Sequence, residues 1–430
     1  MDRDYIAAVD IGTTKIVAIV GRKDANGKVK ILGVGETPSK GVKRGVVYNV
    51  EETAGSIIEA VKIARESSGI DFRDVFVGIA GQHIKSIRNR HSKRIERDFD
   101  EITAEDVKQL TDDVYNISLA AGEEIIHVIP QNYIIDNGQL LENAIGASGK
   151  KLEGNFHIII GQTNYATYIK RSVERAGLNV IKLILEPIAS AEAVLSTDEK
   201  ELGVALVDIG GGTTDLAIYY DGILRHTAVV PLGGNVVTND IKEGCAILYR
   251  TAEQLKVEFG SALSSKSDES KVVSIPGVEG REPKEISFRN LASIIQARME
   301  DIIDGVFFQI ENSGYAKNLK SGIIITGGGS TLKKLPQLIK FKTGFDVHVG
   351  HPNRYVSSDG NSTLNSPKYA TSIGLIIKGY DYMQTLKASN TTIEVEKEKD
   401  IEPKVKKQGG LFDTIKKSVN NLFDDKGTTM

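Results

Sequence analysis

One short pattern occurs twice in this chain, about two hundred residues apart. Asp10-Ile11-Gly12-Thr13-Thr14-Lys15 returns as Asp208-Ile209-Gly210-Gly211-Gly212-Thr213-Thr214-Asp215. Each copy follows an apolar β-like run (Ile6–Val9, Val204–Val207) and leads into another (Ile16–Val20, Leu216–Tyr220). Each is therefore a strand–turn–strand hairpin, with a carboxylate ending its first strand and a Gly/Thr-rich turn. Two such hairpins predict two halves facing each other across a nucleotide.

The chemistry of the turns supports that reading. Glycines let the backbone come close and aim N–H groups inward as an anion-binding concavity. Thr13, Thr14, Thr213 and Thr214 add hydroxyl donors, and Lys15 adds a point charge for phosphate. Asp10 and Asp208 would repel phosphate and instead suit a Mg²⁺ that keeps its waters between carboxylate and phosphate. A single Asp-Ile-Gly turn could equally be a tight structural hairpin. The second copy and a third glycine-rich turn, Gly327-Gly328-Gly329, argue against that reading. The spacing is neither G-x-G-x-x-G nor G-x-x-x-x-G-K-[ST], so the Rossmann and P-loop readings lack their core residues.

Length and composition fix the frame. A chain of 430 residues needs more than one core. A net charge of −3 argues against a general nucleic-acid binder. The lone cysteine, Cys245, excludes an internal disulfide and a cysteine zinc site, and reads as a small buried residue. No basic and apolar leader is evident, and no apolar run approaches the ~18–20 residues that span a bilayer. The expectation is a cytoplasmic protein that meets a membrane only through its surface.

Along the chain, residues 1–82 read β-β-β-α-β, with a helix over about 50–67 and a strand at 75–80. Thr103 before Ala104-Glu105-Asp106 predicts a helix start, and 84–157 reads as an inserted α/β subdomain. Ile158–Gly161 is expected to return to the main body. Helices are expected over about 165–176, 187–195, 235–244, 251–259, 291–311 and 369–378. Residues 387–409 are polar and charged and read as a flexible linker. Beyond it, Leu411, Phe412, Ile415, Val419, Leu422 and Phe423 fall within an arc of roughly 120° on a helix over 410–425. Lysines flank that stripe, as in a helix lying in the headgroup layer. The same stripe could dock on protein; a spacer of about twenty residues favours the membrane reading.

These hairpins, the intervening Leu185-Glu186-Pro187-Ile188-Ala189-Ser190-Ala191, and Ile325-Thr326-Gly327-Gly328-Gly329-Ser330 resemble the nucleotide site of the actin, heat-shock chaperone and sugar kinase superfamily. Within it, the segment 225–241, the helix Thr251-Ala252-Glu253-Gln254-Leu255-Lys256 and the C-terminal amphipathic stretch resemble the FtsA family of bacterial cell division proteins. The resemblance implies an α/β, actin-like and ribonuclease-H-like, two-lobed ATPase fold with an inserted subdomain. It divides the chain into 1–83 with 158–200, the insert 84–157, 201–228 with 320–386, and 229–319. It implies ATP with Mg²⁺ as cofactors. Gly12, Thr13, Thr14, Lys15, Gly210, Gly211, Gly212, Thr213, Thr214, Gly233 and Gly234 would lie near phosphate. Glu253, Lys256 and Gly327 to Gly329 would lie near adenosine.

The resemblance also implies partners: the C-terminal peptide of the tubulin-like FtsZ, further copies of the chain in actin-like filaments, other divisome proteins and the membrane's cytoplasmic face at the septum. Arg298, with Arg289 and Asn290, would meet the FtsZ peptide; as residues alone they also read as solvent-exposed groups. Glu186 occupies a step where an acid in the chaperone branch helps hold metal and the attacking water, a departure from the usual FtsA pattern. Glu186 and Asp208 therefore allow hydrolysis, while a strand-end carboxylate in a site that only holds ATP is the other reading. A small-molecule kinase, a chaperone nucleotide domain and a pilus-assembly relative are the rivals, and none of them uses hairpins, insert, linker and tail together.

Overall fold

The computed structural model describes residues 4–399 apart from 25–26, 97–100, 139, 267–269, 277–281 and 358–361. By its contacts the chain divides into two compact units, Met1–Tyr380 and Asp381–Met430.

The first unit contains two five-stranded sheets with the same topology. In one, the antiparallel strands Ile6–Ile11, Lys15–Lys23 and Val29–Pro38 form a meander, and Asp74–Ile79 and Asn179–Leu185 add on in parallel beyond Ile6–Ile11. In the other, Val204–Ile209, Thr214–Tyr220 and Ile223–Val230 form the meander, and Ile323–Thr326 and Val347–Val349 add on in parallel. Numbered along the chain within each sheet, both run 3-2-1-4-5. The repeat seen in the sequence is thus a repeat of a whole ribonuclease-H-like lobe. Each first strand is buried along most of its length, as expected for strands covered on both faces.

Helices close the sheets. Val50–Ser68 starts at Asn49, whose side chain accepts from the amides of Glu51 and Glu52, and stops at Gly69 with φ +68°. Its Ile57, Ala60, Val61 and Ala64 pack into the first lobe's core. Phe288–Ser313 starts at Ser287 and buries Leu291, Ile295, Met299, Ile302, Val306 and Ile310 against the second lobe, one apolar stripe at helical spacing. Cys245 is buried in that core.

The insert has its own four-stranded sheet, in the order Lys85–Arg94, Lys151–Gln162, Glu123–Ile135, Leu140–Leu141. Its helix Ala104–Val114 carries the capping box at Thr103 and Asp106. The basic stretch Lys85–Arg94 is the edge strand of this sheet and is exposed along much of its length. Ile158–Gly161 does not leave the insert. These residues continue Lys151–Gln162 and pair with the neighbouring strands, because Phe156, Ile158 and Ile160 face the insert's own core.

The helix expected to end at Lys378 runs over Ala370–Lys399 and so takes in the first part of the expected linker 387–409. No glycine or proline stands between Tyr380 and Pro403, so nothing in the sequence forces a stop. The remainder of that linker and the amphipathic stretch 410–425, with Leu411, Phe412, Ile415, Val419, Leu422 and Phe423, lie outside the described residues. Among the described residues, no helix is long and apolar enough to cross a membrane.

Candidate nucleotide site

The equivalent ends of the two lobes meet. A side chain at Gly211 would come within 2.3 Å of Thr14 Cγ2, and one at Gly212 within 2.5 Å of Thr13 Oγ1. Only glycine leaves room for the two turns to approach this closely. The Gly327 turn needs glycine for a second reason: its φ is +81°, and a Cβ there would lie 2.2 Å from Asp208 Oδ1.

Between the turns lies a cavity of about 330 Å³. It is lined by Asp10, Gly12, Thr13, Thr14, Lys15, Glu186, Asp208, Gly210 to Gly212, Thr213, Gly234, Glu253, Lys256 and Gly327 to Gly329. Two residues expected here do not line it. Thr214 is fully buried and its hydroxyl donates to the Leu232 carbonyl at 2.9 Å. Gly233 packs behind the second turn, against the carbonyls of Gly210 and Gly211. The next two amides tie the helix Gly234–Cys245 to that turn: Gly234 N–H donates to Gly210 O at 2.9 Å, and Asn235 N–H to Gly211 O at 2.8 Å. The helix start therefore shapes the second turn instead of presenting these two amides to a ligand.

Four carboxylates gather at the strand ends. Ser372 Oγ donates to Asp10 Oδ2 at 2.7 Å, and Asp208 Oδ2 accepts from Ser190 Oγ at 2.7 Å and Thr371 Oγ1 at 3.2 Å. Asp215 Oδ2 accepts from Thr213 Oγ1 at 3.0 Å, while its buried Oδ1 has no partner. Glu186 opens the helix Glu186–Val194 and lies over Gly78, where a Cβ would meet its Oε1 at 2.8 Å. Burial above all, and then the charges of Asp10, Asp215 and Asp208, push the Glu186 carboxyl well above the usual range, with Lys15 opposing. Burial likewise raises Asp208, against the relief given by the Ser190 hydroxyl. Asp215 is pushed up to about 7, by burial first and Asp208 second. Lys15 Nζ donates to the Lys368 carbonyl at 2.7 Å and lies over the Tyr369 ring.

Crowded, partly unpartnered carboxylates beside phosphate-type turns are what a cation would relieve. Among the described residues no three acidic, histidine or cysteine groups are placed to hold a metal directly. The carboxylates of Asp10, Asp208, Asp215 and Glu186 would suit a hydrated Mg²⁺ held through its waters and a phosphate. Elsewhere in the cavity wall, Lys256 Nζ donates to Gly234 O at 3.0 Å and pairs with Glu253 at 2.8 Å. Val237, Val257, Met299 and Leu332 add an apolar surface beside them, suited to a flat base.

Several of these residues escaped the sequence reading. Ser190 was legible in principle, since it follows Glu186 by four residues and so shares its helix face. Asp215 ends the repeated motif, and its pairing with Asp208 follows from the hairpin register. The apolar wall and the Thr371-Ser372 pair come from distant segments and carried no local signal.

The candidate peptide-binding residues lie apart from this cavity. Arg298 is already engaged: Nε donates to Asp240 Oδ2 at 2.6 Å, and Nη1 to Asp301 Oδ2 at 3.0 Å. Arg289 and Asn290 occupy the exposed first turn of the same helix. Arg289 precedes Arg298 by nine residues, which at about 100° per residue places the two on opposite faces. The helix therefore does not place Arg289 beside Arg298.

Comparison with known proteins agrees with the geometry. The family model described as cell division protein FtsA matches residues 205–374, and the one described as the SHS2 domain inserted in FTSA matches 81–160. Cell division protein FtsA of Pseudomonas aeruginosa is 37% identical over 374 residues, covering 87% of this chain and 89% of that protein. The chain belongs to the FtsA family. Its role is therefore in cell division, and the kinase, chaperone and pilus rivals fall away. The FtsA of Neisseria meningitidis is 32% identical over 420 residues, covering 97% of this chain and 99% of that protein. That of Escherichia coli K12 is 33% identical over 385 residues, covering 88% and 91%.

Among solved structures, a chain of the PilM-PilN type IV pilus biogenesis complex aligns with a TM-score of 0.63 at 15% identity, over 87% of this chain and 98% of that one. MreB5 of Spiroplasma citri bound to ADP aligns with a TM-score of 0.56 at 14% identity, over 90% and 99%. The FtsA-family chain thus has the actin-like fold, with the inserted domain particular to its family.

Proposed function

We propose that this FtsA-family chain binds ATP with Mg²⁺ between its two lobes, forms actin-like filaments on the cytoplasmic face of the cell membrane, and tethers FtsZ there as the septal ring assembles. The observation that carries the reading is the meeting of two phosphate-type turns over a cluster of crowded carboxylates. The fold shared with MreB5, solved with ADP and with AMPPNP, adds support. The division into a first lobe of 1–83 with 163–200, an insert that runs on to Gln162, and a second lobe of 201–228 with 320–386 and 229–319 is part of the proposal. The insert serves contacts with other copies and division proteins, and 410–425 serves as the membrane anchor. One short helix binds lipid reversibly, so polymerisation supplies avidity.

Calorimetric titration of the full chain with ATP, with and without Mg²⁺, tests the core of this reading. Saturable binding that strengthens with Mg²⁺ is expected; no binding in either condition refutes it. Vesicle flotation of a chain lacking 409–430 tests the anchor, and retained flotation removes it. Arg298→Glu tests the peptide site. The new acid would face Asp240 and Asp301, so the helix opens locally and FtsZ-peptide binding is lost while ATP binding stays; unaltered peptide binding removes the site.

A second reading, slow hydrolysis, is favoured by the position of Glu186 among Asp10, Asp208 and Asp215. In it Glu186 and Asp208 hold the attacking water. Phosphate release from Glu186→Ala equal to that of the unsubstituted chain would end that reading and leave the nucleotide as a structural clasp.

A further inference from the structure

A two-residue hairpin overlies the junction of the two phosphate-type turns, and no part of the function proposed above uses it. Val42–Lys43 and Val46–Val47 pair antiparallel, Val42 with Val47 and Lys43 with Val46, leaving Arg44 and Gly45 as the turn. Val42 and Val47 are buried in the first lobe's core, so the hairpin is anchored. Its tip reaches both turns. Gly45 N–H donates to Thr13 Oγ1 at 3.0 Å, and the Arg44 Cα lies 2.9 Å from where a Gly212 side chain would begin.

The residue at the tip is unexpected for this turn. Arg44 has φ +50° and Gly45 φ +73°, so both central residues are left-handed. Such turns favour Asn, Asp or Gly at the first position, because the Cβ of other residues is crowded there. Arginine is a poor choice on backbone grounds alone. Its side chain is exposed, and it has no hydrogen-bond or ion-pair partner among the described residues. A strained residue held by its surroundings, with an unspent charge beside a binding cavity, points to a role in binding.

We propose that Arg44 is a specificity residue of the nucleotide site, supplying a cation to the terminal phosphate and so favouring a nucleoside triphosphate over a diphosphate. The inference rests on the nucleotide reading given above. With a nucleoside on the Gly327–Gly329 turn, the phosphates would follow the two hairpin turns, and the last would come near the meeting of Thr13 and Gly212, where Gly45 of the hairpin lines the cavity. Arg44 stands at that junction. Its planar guanidinium suits bidentate contact with phosphate oxygens. Lys15 is drawn to the Lys368 carbonyl, which leaves the tip of the hairpin as a second source of positive charge.

The test is the ratio of Mg·ATP to Mg·ADP affinity, measured by calorimetry on the full chain and three variants. Arg44→Gly removes the charge and relaxes the backbone. It should keep or raise the melting temperature, weaken ATP binding at least tenfold and leave ADP within twofold. Arg44→Lys should recover part of the ATP affinity. Lys43→Gln, which removes the neighbouring exposed charge, should leave the ratio unchanged. Equal weakening of ATP and ADP in Arg44→Gly, an unchanged ratio, or the same loss in Lys43→Gln overturns the proposal while the nucleotide site stands. An unsubstituted chain that binds neither nucleotide overturns the site and this role with it.

Discussion

Replacing Asp215 by asparagine should stabilise the nucleotide-free protein, and by an amount that depends on pH. Asp215 is buried, its Oδ1 lacks a partner, and its carboxyl is pushed from 3.8 up to about 7 by burial and by Asp208. The folded state therefore holds this proton more tightly than the unfolded chain does. Below pH 4 both states are protonated and the group contributes nothing to stability. As pH rises from 4 to 7 the unfolded chain loses its proton first, and the folded protein is progressively penalised. Above pH 7 the penalty is complete, and the gap between 3.8 and about 7 corresponds to about 4 kcal/mol. At pH 5 about 2 kcal/mol of it is present by the same relation. Asparagine is isosteric, can still accept from Thr213 through its carbonyl oxygen, and carries no charge.

The assay is thermal unfolding of the unsubstituted chain and Asp215→Asn without nucleotide or Mg²⁺, at several values between pH 4 and pH 8. With about 2 cal/mol/K of unfolding entropy per residue over the first compact unit, 4 kcal/mol corresponds to about 5 °C. The variant should melt with the unsubstituted chain near pH 4 and about 5 °C above it at pH 8. Saturating Mg·ATP should close or reverse the difference, because a cation near the cluster stabilises the charged form of Asp215 and asparagine forfeits that gain. A pH-independent difference, or a variant less stable than the unsubstituted chain at pH 8, would refute the claim that uncompensated charge is held in this cleft.

Gly211→Ala brings a methyl group within 2.3 Å of Thr14 Cγ2, so the turns must separate; ATP affinity should fall at least tenfold by calorimetry, with a melting temperature lowered by a few degrees. His127→Ala removes the imidazole Nε2 that accepts from the Leu185 amide at 3.1 Å, just before Glu186; the orphaned amide should cost about 1–3 kcal/mol in denaturant unfolding. The same imidazole is held neutral in the fold, its pKa lowered from 6.5 to about 3 by burial first and then by Lys182 and Lys378, whereas the unfolded chain takes up that proton below 6.5; this group should therefore lower stability as pH falls from 7 to 5, by about 2 kcal/mol at pH 5, and His127→Ala should lose that dependence. Arg225→Ala removes the guanidinium that contacts Tyr220, Gln131 and Asp221; the insert should then become more susceptible to limited proteolysis than either lobe.

What the sequence made legible is local. The paired hairpins, the helix start at Thr103 and the helix expected over about 291–311 each rest on signals that act over a few residues, so their spacing announces them. Strand Lys151–Gln162 was misread at its far end because its apolar residues look the same whether they pair with the insert or with the lobe. Only the partner strand decides, and the partner is over sixty residues away in the case of Lys85–Arg94. Thr214 was misplaced for a related reason. Thr13 and Thr14 both line the cavity, whereas in the second copy Thr213 lines it and Thr214 turns back to the Leu232 carbonyl. Both turns span four residues between paired strand positions, Ile11 with Ile16 and Ile209 with Thr214, so the two added glycines take the places of Thr13 and Thr14, Thr213 takes that of Lys15, and Thr214 that of the buried Ile16.

The two repeats are also not interchangeable in charge. Lys15 lies in the first hairpin, and Asp215, which pairs with Asp208 as Val17 pairs with Asp10, lies in the second, so one lobe offers a cation and the other an acid to the same cavity. A ligand that satisfies both must be anionic and accompanied by a cation of its own. The turn sequences, through Asp10 and Asp208, already point to a metal–phosphate pair. The burial of Asp215 beside Asp208 and Glu186 supports the same part of the proposed function, because phosphate by itself would add negative charge to a cluster that already disfavours it. ATP affinity should therefore fall when Mg²⁺ is chelated, and Asp215→Asn should make that fall smaller. If chelation weakens the variant as much as the unsubstituted chain, Asp215 does not face the cation and the asymmetry between the lobes has another cause.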